Sequence, residues 1–231
     1  MNKIAFISDI HGNYEALIEV LKKIDEMGIK SIYCLGDVTG YYSQVNECCD
    51  VLRERKIPTL MGNHDWYLAG GGFCPRSQSV NDCLVYQRKN ISKENLDWVK
   101  TFPVQFEIDD IKMVHGGWAD PIDEYLLKPT QEYFNKVQGK YFVSGHTHLA
   151  RIDQFEDKIY CNPGSVGQPR DGDPRASFAV FDGKFEIFRV DYNIKKVWEL
   201  MDRAGFNDYY YGCLETGARN LCKPKRSIES V

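Results

Sequence analysis

The chain has 231 residues, 43% of them hydrophobic, enough to bury a substantial core in one domain. A net charge of −4 and a pI near 5.8 argue against a general polyanion binder, whose affinity rests on clustered Lys and Arg. The apolar run in MNKIAFISDIHG is too short for a signal peptide, and no segment reaches the roughly 18 apolar residues of a membrane span. A cytoplasmic protein without a membrane partner is therefore expected. The cysteines (Cys34, Cys48, Cys49, Cys74, Cys83, Cys161, Cys213, Cys222) show no C-x-x-C spacing, so reduced, mostly buried thiols are expected rather than a zinc or redox motif.

From the N-terminus, Lys3–Ser8 reads as a strand. Leu17, Val20, Leu21, Ile24 and Met27 then fall at helical spacing over Tyr14–Met27, with Asn13 as N-cap and Gly28 past the end. A strand at Ser31–Leu35 completes a βαβ start. A helix over Gln44–Glu54, burying Val45, Cys48 and Leu52, must end before Pro58, and Pro58–Met61 reads as a third strand. Two helical stretches cover Ser79–Lys100, broken near Asn90–Ser92. From Phe106 the rhythm changes to hairpins, turned by Asp109-Asp110 and by Asp182-Gly183. Ile111–Val114, Tyr141–Ser144 and Lys158–Cys161 are further strands, several without alternation and so buried on both faces. Parallel strands first and antiparallel strands later predict two packed sheets. A helix carrying Val197, Leu200 and Met201 comes after Asn193, then Tyr209–Leu214 and a polar tail with Lys223-Pro224-Lys225-Arg226, which reads as solvated.

The informative pattern lies at the ends of the strands. Asp9-Ile10-His11 stands after the first, Gly36-Asp37 after the second, Gly62-Asn63-His64-Asp65 after the third, His115 after the hairpin strand and Gly145-His146-Thr147-His148 after the next, which accounts for all five histidines. Ligands of open α/β sheets gather at the carboxyl ends of strands, so these distant residues converge. Two carboxylates, an amide oxygen and four or five imidazoles exceed what one metal needs and suit two. Mixed imidazole and oxygen donors favour Mn, Fe, Zn, Co or Ni over Ca or Mg.

The order D-x-H, G-D, G-N-H-D, H and G-H-x-H resembles the calcineurin-like metallophosphoesterases. DIHGN, GNHD, GHTH and NPGSVGQPR look like their bacterial and archaeal small-phosphodiesterase branch. The resemblance runs from Lys3 to about Arg219, through the VDYN and AGF segments. It implies an α/β fold, a four-layer α/β/β/α sandwich with two packed mixed β-sheets, in one domain over residues 1–219 with a polar tail at 220–231. It also implies two divalent transition-metal ions, with manganese foremost. Asp9, His11 and His148 would hold the first metal and Asn63, His115 and His146 the second, with Asp37 bridging. His64 would face the phosphate and stabilise or protonate the leaving oxygen. The expected chemistry is attack of a metal-bound hydroxide on a small phosphodiester or nucleotide-like phosphate ester.

Two more segments are expected near the substrate. Asn162–Gly167 exposes backbone N–H groups for an anion, which makes Gly164 and Ser165, with Arg170 behind them, candidate substrate contacts. Trp66–Ser79, with Gly70-Gly71-Gly72 and Arg76, reads as a flexible flap. Arg170 also fits a surface salt bridge, and Tyr41-Tyr42 and Tyr209-Tyr210-Tyr211 fit core packing as readily as base stacking. The branch often has Gly-Pro after Gly-Asp where this chain has Gly40-Tyr41-Tyr42-Ser43-Gln44, so that loop shapes its own specificity. Val38-Thr39-Gly40 and Asp65 differ from the protein-phosphatase pattern. The competing readings are a non-catalytic protein-binding scaffold of this fold, which lacks a complete metal set, and a nuclease, which the acidic balance disfavours. Substrate, native metal and any homo-oligomeric state stay open.

Overall fold

The computed structural model describes residues 3–218. The polar tail and Cys222 lie outside the described residues. The first unit is β1 (Ile4–Ile7), α1 (Tyr14–Glu26) and β2 (Ser31–Cys34). Asn13 caps α1 by accepting from the Ala16 N–H, and Gly28 takes the left-handed φ of 70° that releases the chain. Helices α2 (Val45–Glu54), α3 (Asn63–Gly70), α4 (Gln78–Asn90) and α5 (Lys93–Val99) come next. Then come β3 (Gln105–Ile108), β4 (Ile111–Val114), α6 (Gln131–Asn135), β5 (Tyr141–Val143), β6 (Arg151–Phe155), β7 (Lys158–Asn162), β8 (Ala176–Phe181), β9 (Phe185–Val190), α7 (Ile194–Arg203) and α8 (Asp208–Tyr211).

Two mixed sheets stack. One has the order β2-β1-β8-β9 and the other β3-β4-β5-β7-β6. Strands β1 and β2 are parallel, as are β4, β5 and β7, so their carboxyl ends share one edge. The sheets do not divide into early parallel and late antiparallel strands. Strand β8 returns from far along the chain and pairs antiparallel with β1, so Ile4 opposes Phe181.

The alternation of strand side chains explains the layers. Ala5, Ile7, Phe178 and Val180 face Leu17, Val20, Leu21 and Ile24 of α1 together with α2, while Phe6, Ala179 and Phe181 face the second sheet. From that sheet, Ile111, Met113, Val143 and Cys161 meet them. Phe142 and Tyr160 point the other way, under Leu126 and Phe134. The outermost layer over the second sheet is mostly irregular chain, with α6 as its five-residue helix.

Three further sequence expectations change. Pro58–Met61 is not a strand but a single bridge, Cys34 to Thr59, because Pro58 brings no N–H and Met61 turns to bond the Pro103 carbonyl. The first part of the expected flap, up to Gly70, is α3, with Tyr67 and Leu68 buried. Strand β6 is an addition to the expected set; its partly exposed Arg-Ile-Asp-Gln-Phe run carries a weak strand signal. Six of the seven described cysteines are buried and all seven are free thiols. No helix among the described residues is long and apolar enough to cross a membrane.

Candidate metal centre

The shared sheet edge collects the strand-end residues. Asp9 and His11 come after β1, Asp37 after β2, His115 after β4, and His146 and His148 after β5. Asn63 and His64 open α3, with Gly62 as its N-cap. The loops are tied to one another through backbone. Asp9 N donates to Gly36 O at 3.0 Å, His11 N to Asp37 O at 2.9 Å, Gly145 N to His115 O at 2.9 Å, and Gly167 N to Asp9 O at 3.0 Å.

The backbone there is unusual. Asp9, His11, Asp37, His146 and His148 all have positive φ, from 53° to 65°. Non-glycine residues adopt this region rarely and at a cost, and such strain concentrates at functional sites. Glycines make the crowding feasible. A Cβ on Gly62 would strike the Asp37 carboxylate, and one on Gly40 would strike the His64 and His11 rings.

All eight side chains are buried, none above 5% exposed. Asp9, His11 and His148 place their ligand atoms within 4.8 Å of one another, as do His11, Asp37 and His64, and Asp37, His115 and His146. Asp37 Oδ2 lies 3.7 Å from His11 Nε2 and 3.4 Å from His115 Nε2, between the two halves. His148 Nε2 is 3.0 Å from His11 Nε2 and 3.3 Å from an Asp9 oxygen. Asn63 Oδ1 lies 3.2 Å from His115 Nε2.

The ring orientation is fixed from outside. Nδ1 of His11 faces the Thr39 carbonyl at 2.8 Å, that of His115 the Leu35 carbonyl at 2.9 Å, and that of His148 the Gln168 carbonyl at 2.6 Å. A carbonyl partner accepts from Nδ1–H and leaves Nε2 as a lone-pair donor, the usual support for a metal-binding imidazole. Burial lowers the pKa of His11, His64 and His148, and that of His146 to about 2, so these rings are offered unprotonated at neutral pH. Asp37 stays well below the usual carboxylate range; burial opposes this, but His115 and the other imidazoles outweigh it. His115 is correspondingly raised to about 9 against the pull of burial, mainly by Asp37. Nε2 of His146 is buried and makes no hydrogen bond among the described residues. A donor set this dense, carrying an orphaned imidazole nitrogen, fits divalent transition-metal ions.

Beside the donors lies a cleft with a cavity volume of about 190 Å³, lined by Asn63, His64, Tyr41, Arg170 and Tyr125 among others. The Arg170 guanidinium stands 5.6 Å from the Tyr41 ring and donates to Tyr41 Oη at 2.9 Å and to Gln168 Oε1 at 2.6 Å. Among the described residues its side-chain partners are Gln168 and Tyr41 and no carboxylate, so the surface salt bridge is not what this arginine makes. Gly164 and Ser165 are placed differently from the sequence expectation. The Gly164 N–H goes to Asn162 Oδ1, the Val166 and Gly167 N–H groups to the carbonyls of Ser8 and Asp9, and Ser165 Oγ to the Asp9 carbonyl. The loop spends these groups on holding the Asp9 turn, and neither residue lines the cleft.

Sequence reading missed several residues. Asp65 accepts from the N–H groups of Thr39, Gly62 and Val38, lacing the second and third ligand loops together. Burial, helped by Asp37, pushes its pKa up to about 7. Its place directly after Asn63-His64 was the available signal. Tyr125 lies 3.9 Å, ring to ring, from His146, Arg76 sits 5.2 Å over Tyr125, and Asp123 pairs with Arg76 while reaching within 3.5 Å of His146 Nε2. No local pattern marks Tyr125 and Asp123, and Arg76 is marked only as part of the expected flap.

A mixed α/β sandwich with clustered imidazole and carboxylate donors at one sheet edge defines a metal-dependent phosphoesterase, and the comparisons agree. Residues 2–185 match the family model described as the calcineurin-like phosphoesterase superfamily domain. The chain is 38% identical to the uncharacterized protein MJ0912 of Methanocaldococcus jannaschii over 221 residues, covering 85% of this chain and 90% of that one. It is 26% identical to the phosphodiesterase YfcE of Escherichia coli, covering 79% and 88%. The crystal structure of a metallophosphoesterase from Sphaerobacter thermophilus superposes with a TM-score of 0.81 at 28% identity, covering 94% and 99%. The chain belongs to the calcineurin-like phosphoesterase superfamily.

Proposed function

We propose that the protein is a two-metal hydrolase of small phosphodiesters or nucleotide-like phosphate esters, built on residues 1–219 as one cytoplasmic domain. The observation that carries the two-metal reading is the position of Asp37, whose Oδ2 faces His11 on one side and His115 on the other. Asp9, His11 and His148 would hold one ion and Asn63, His115 and His146 the other, with Asp37 shared; manganese is the first choice for both. Such ions supply charge that neutralises phosphoryl oxygens and an activated water at neutral pH.

The chain's own residues do the rest. The carbonyls of Thr39, Leu35 and Gln168 hold three donor rings in one orientation, so little reorganisation is needed when an ester binds. Arg170, oriented by Gln168 and Tyr41, presents an unneutralised cation for a phosphate oxygen. His64 lines the cleft, and burial keeps it neutral, so it acts as an N–H donor to the leaving oxygen. The phosphodiesterase name of the E. coli relative favours diesters. The complete donor set favours an enzyme over a scaffold.

The test is to strip the protein of metal, reconstitute it with Mn²⁺, and measure bound metal per chain beside hydrolysis of bis-p-nitrophenyl phosphate and p-nitrophenyl phosphate. Two ions per chain with metal-dependent turnover are expected, faster on the diester. One ion per chain, or two ions without turnover on any phosphate ester, would overturn the reading.

A further inference from the structure

Beyond the metal centre, the structure separates the three tyrosines of α8. Tyr211 is core: it is 8% exposed, packs 6.0 Å from the Trp198 ring and donates to Asp202 at 2.6 Å. Tyr210 is a fastener, donating to Asp82 of α4 at 2.8 Å with its ring 4.9 Å from Phe206. Tyr209 does neither. The residue is 42% exposed, its ring touches only the edge of Tyr210 among described aromatic rings, and its hydroxyl has no hydrogen bond among the described residues. It nevertheless lines the same cleft as His64 and Arg170.

That cleft grades from buried to open. Asn63 and His64 at its floor are 2% and 5% exposed, while Tyr209 stands at the rim. With about 190 Å³ of cavity volume, below the usual range of about 300–1,000 Å³ for small-molecule pockets, the enclosed part takes a phosphate and little more. The organic group of a bound ester must therefore lie along the rim, where Arg76 and the hydroxyls of Ser77 and Ser79 join Tyr209. Arg76 is held by Asp123, and the Ser77 hydroxyl by Ser79 and the Val80 N–H, so what the rim offers a ligand is the exposed aromatic face of Tyr209, which suits a planar ring. Helix α8 lies beyond residues 2–185, which the family model matches, so Tyr209 adds to the cleft from the C-terminal part of the same domain.

We infer that Tyr209 is a specificity-determining residue that stacks on the base of a nucleotide whose phosphate occupies the His64–Arg170 end of the cleft. This rests on the phosphoesterase reading of the site.

The experiment compares AMP with ribose 5-phosphate, which differ only in the base, as inhibitors of bis-p-nitrophenyl phosphate hydrolysis by the Mn²⁺ enzyme, with calorimetric binding in parallel. AMP is expected to bind roughly 5- to 150-fold more tightly than ribose 5-phosphate, the range of base–aromatic stacking. Tyr209→Ala should erase that preference without changing the affinity for ribose 5-phosphate or the thermal midpoint, and Tyr209→Phe should keep it. Equal affinities in the parent, or a preference that survives Tyr209→Ala, would overturn the inference. Phenyl phosphate gaining as much as AMP over ribose 5-phosphate would overturn the nucleotide assignment in favour of aryl phosphates. If the parent turns over no phosphate ester, the functional reading fails, while the calorimetric comparison still judges Tyr209 by itself.

Discussion

Among single residues, His64 and Asp37 divide the work most sharply. His64 touches the cleft but is placed outside both donor triads that the sequence motifs imply, so His64→Ala should keep two ions per chain and lower kcat by about 10²–10⁴-fold, the usual reach of a positioned proton donor. An unchanged rate would remove it from the mechanism. Asp37→Asn should lose metal as well as activity, because the shared negative charge disappears; elemental analysis beside turnover separates the two variants. Asp65 tests the scaffolding beneath. Asp65→Ala strands the N–H groups of Thr39 and Gly62 in a buried site, at about 1–3 kcal/mol for each unmade bond. A loss of unfolding free energy of that order is expected in urea melts, and wild-type stability would mean that these loops hold without it.

Among the elements, the segment between the second sheet and β8 is pinned by charge. Asp173 pairs with Arg175 at 2.7 Å and lies 3.9 Å from Arg189 of β9, which also binds Asp171. The Arg175 side chain draws the Asp173 pKa down to about 2. A carboxyl with a lowered folded-state pKa contributes fully above the unfolded range near 3.9 and loses that contribution as pH falls toward 2. The carboxylate is 29% exposed, so solvent screening limits the effect to about 1 kcal/mol. In urea melts, Asp173→Asn should be about that much less stable at pH 7 and no less stable near pH 2. A deficit that persists at pH 2 would point to packing instead of charge.

For the whole molecule, the expected response is to metal. The centre gathers buried imidazoles beside Asp9 and Asp37, and ions that bind only the folded chain would stabilise it by mass action, about 2.7 kcal/mol at 100 times the dissociation constant. For a chain of this size that corresponds to a rise of about 5–10 °C in Tm. Differential scanning calorimetry with and without Mn²⁺ should show it, and a chelator should reverse it. A Tm indifferent to Mn²⁺ would mean that the donor set does not bind it.

The candidate donors were legible in the sequence because each is a local event: a short apolar run trailed at once by Asp, Asn or His. Parallel strands then deliver those ends to one edge by a general rule of α/β folds. The helices of the first half were legible for a similar reason, since the 3.6-residue spacing of Leu17, Val20, Leu21 and Ile24 is carried within one segment. The remainder depends on pairings between distant segments, which no local pattern encodes and which exist only once the chain has folded. Among these are the insertion of β8 beside β1, the reduction of Pro58–Met61 to one bridge, and the use of the Asn162–Gly167 amides to brace the Asp9 turn. The approach of Tyr125, Arg76 and Asp123 to His146 belongs with them. So does the sorting of Tyr209, Tyr210 and Tyr211 into rim, fastener and core, because all three carry the same side chain and only their neighbours in space differ.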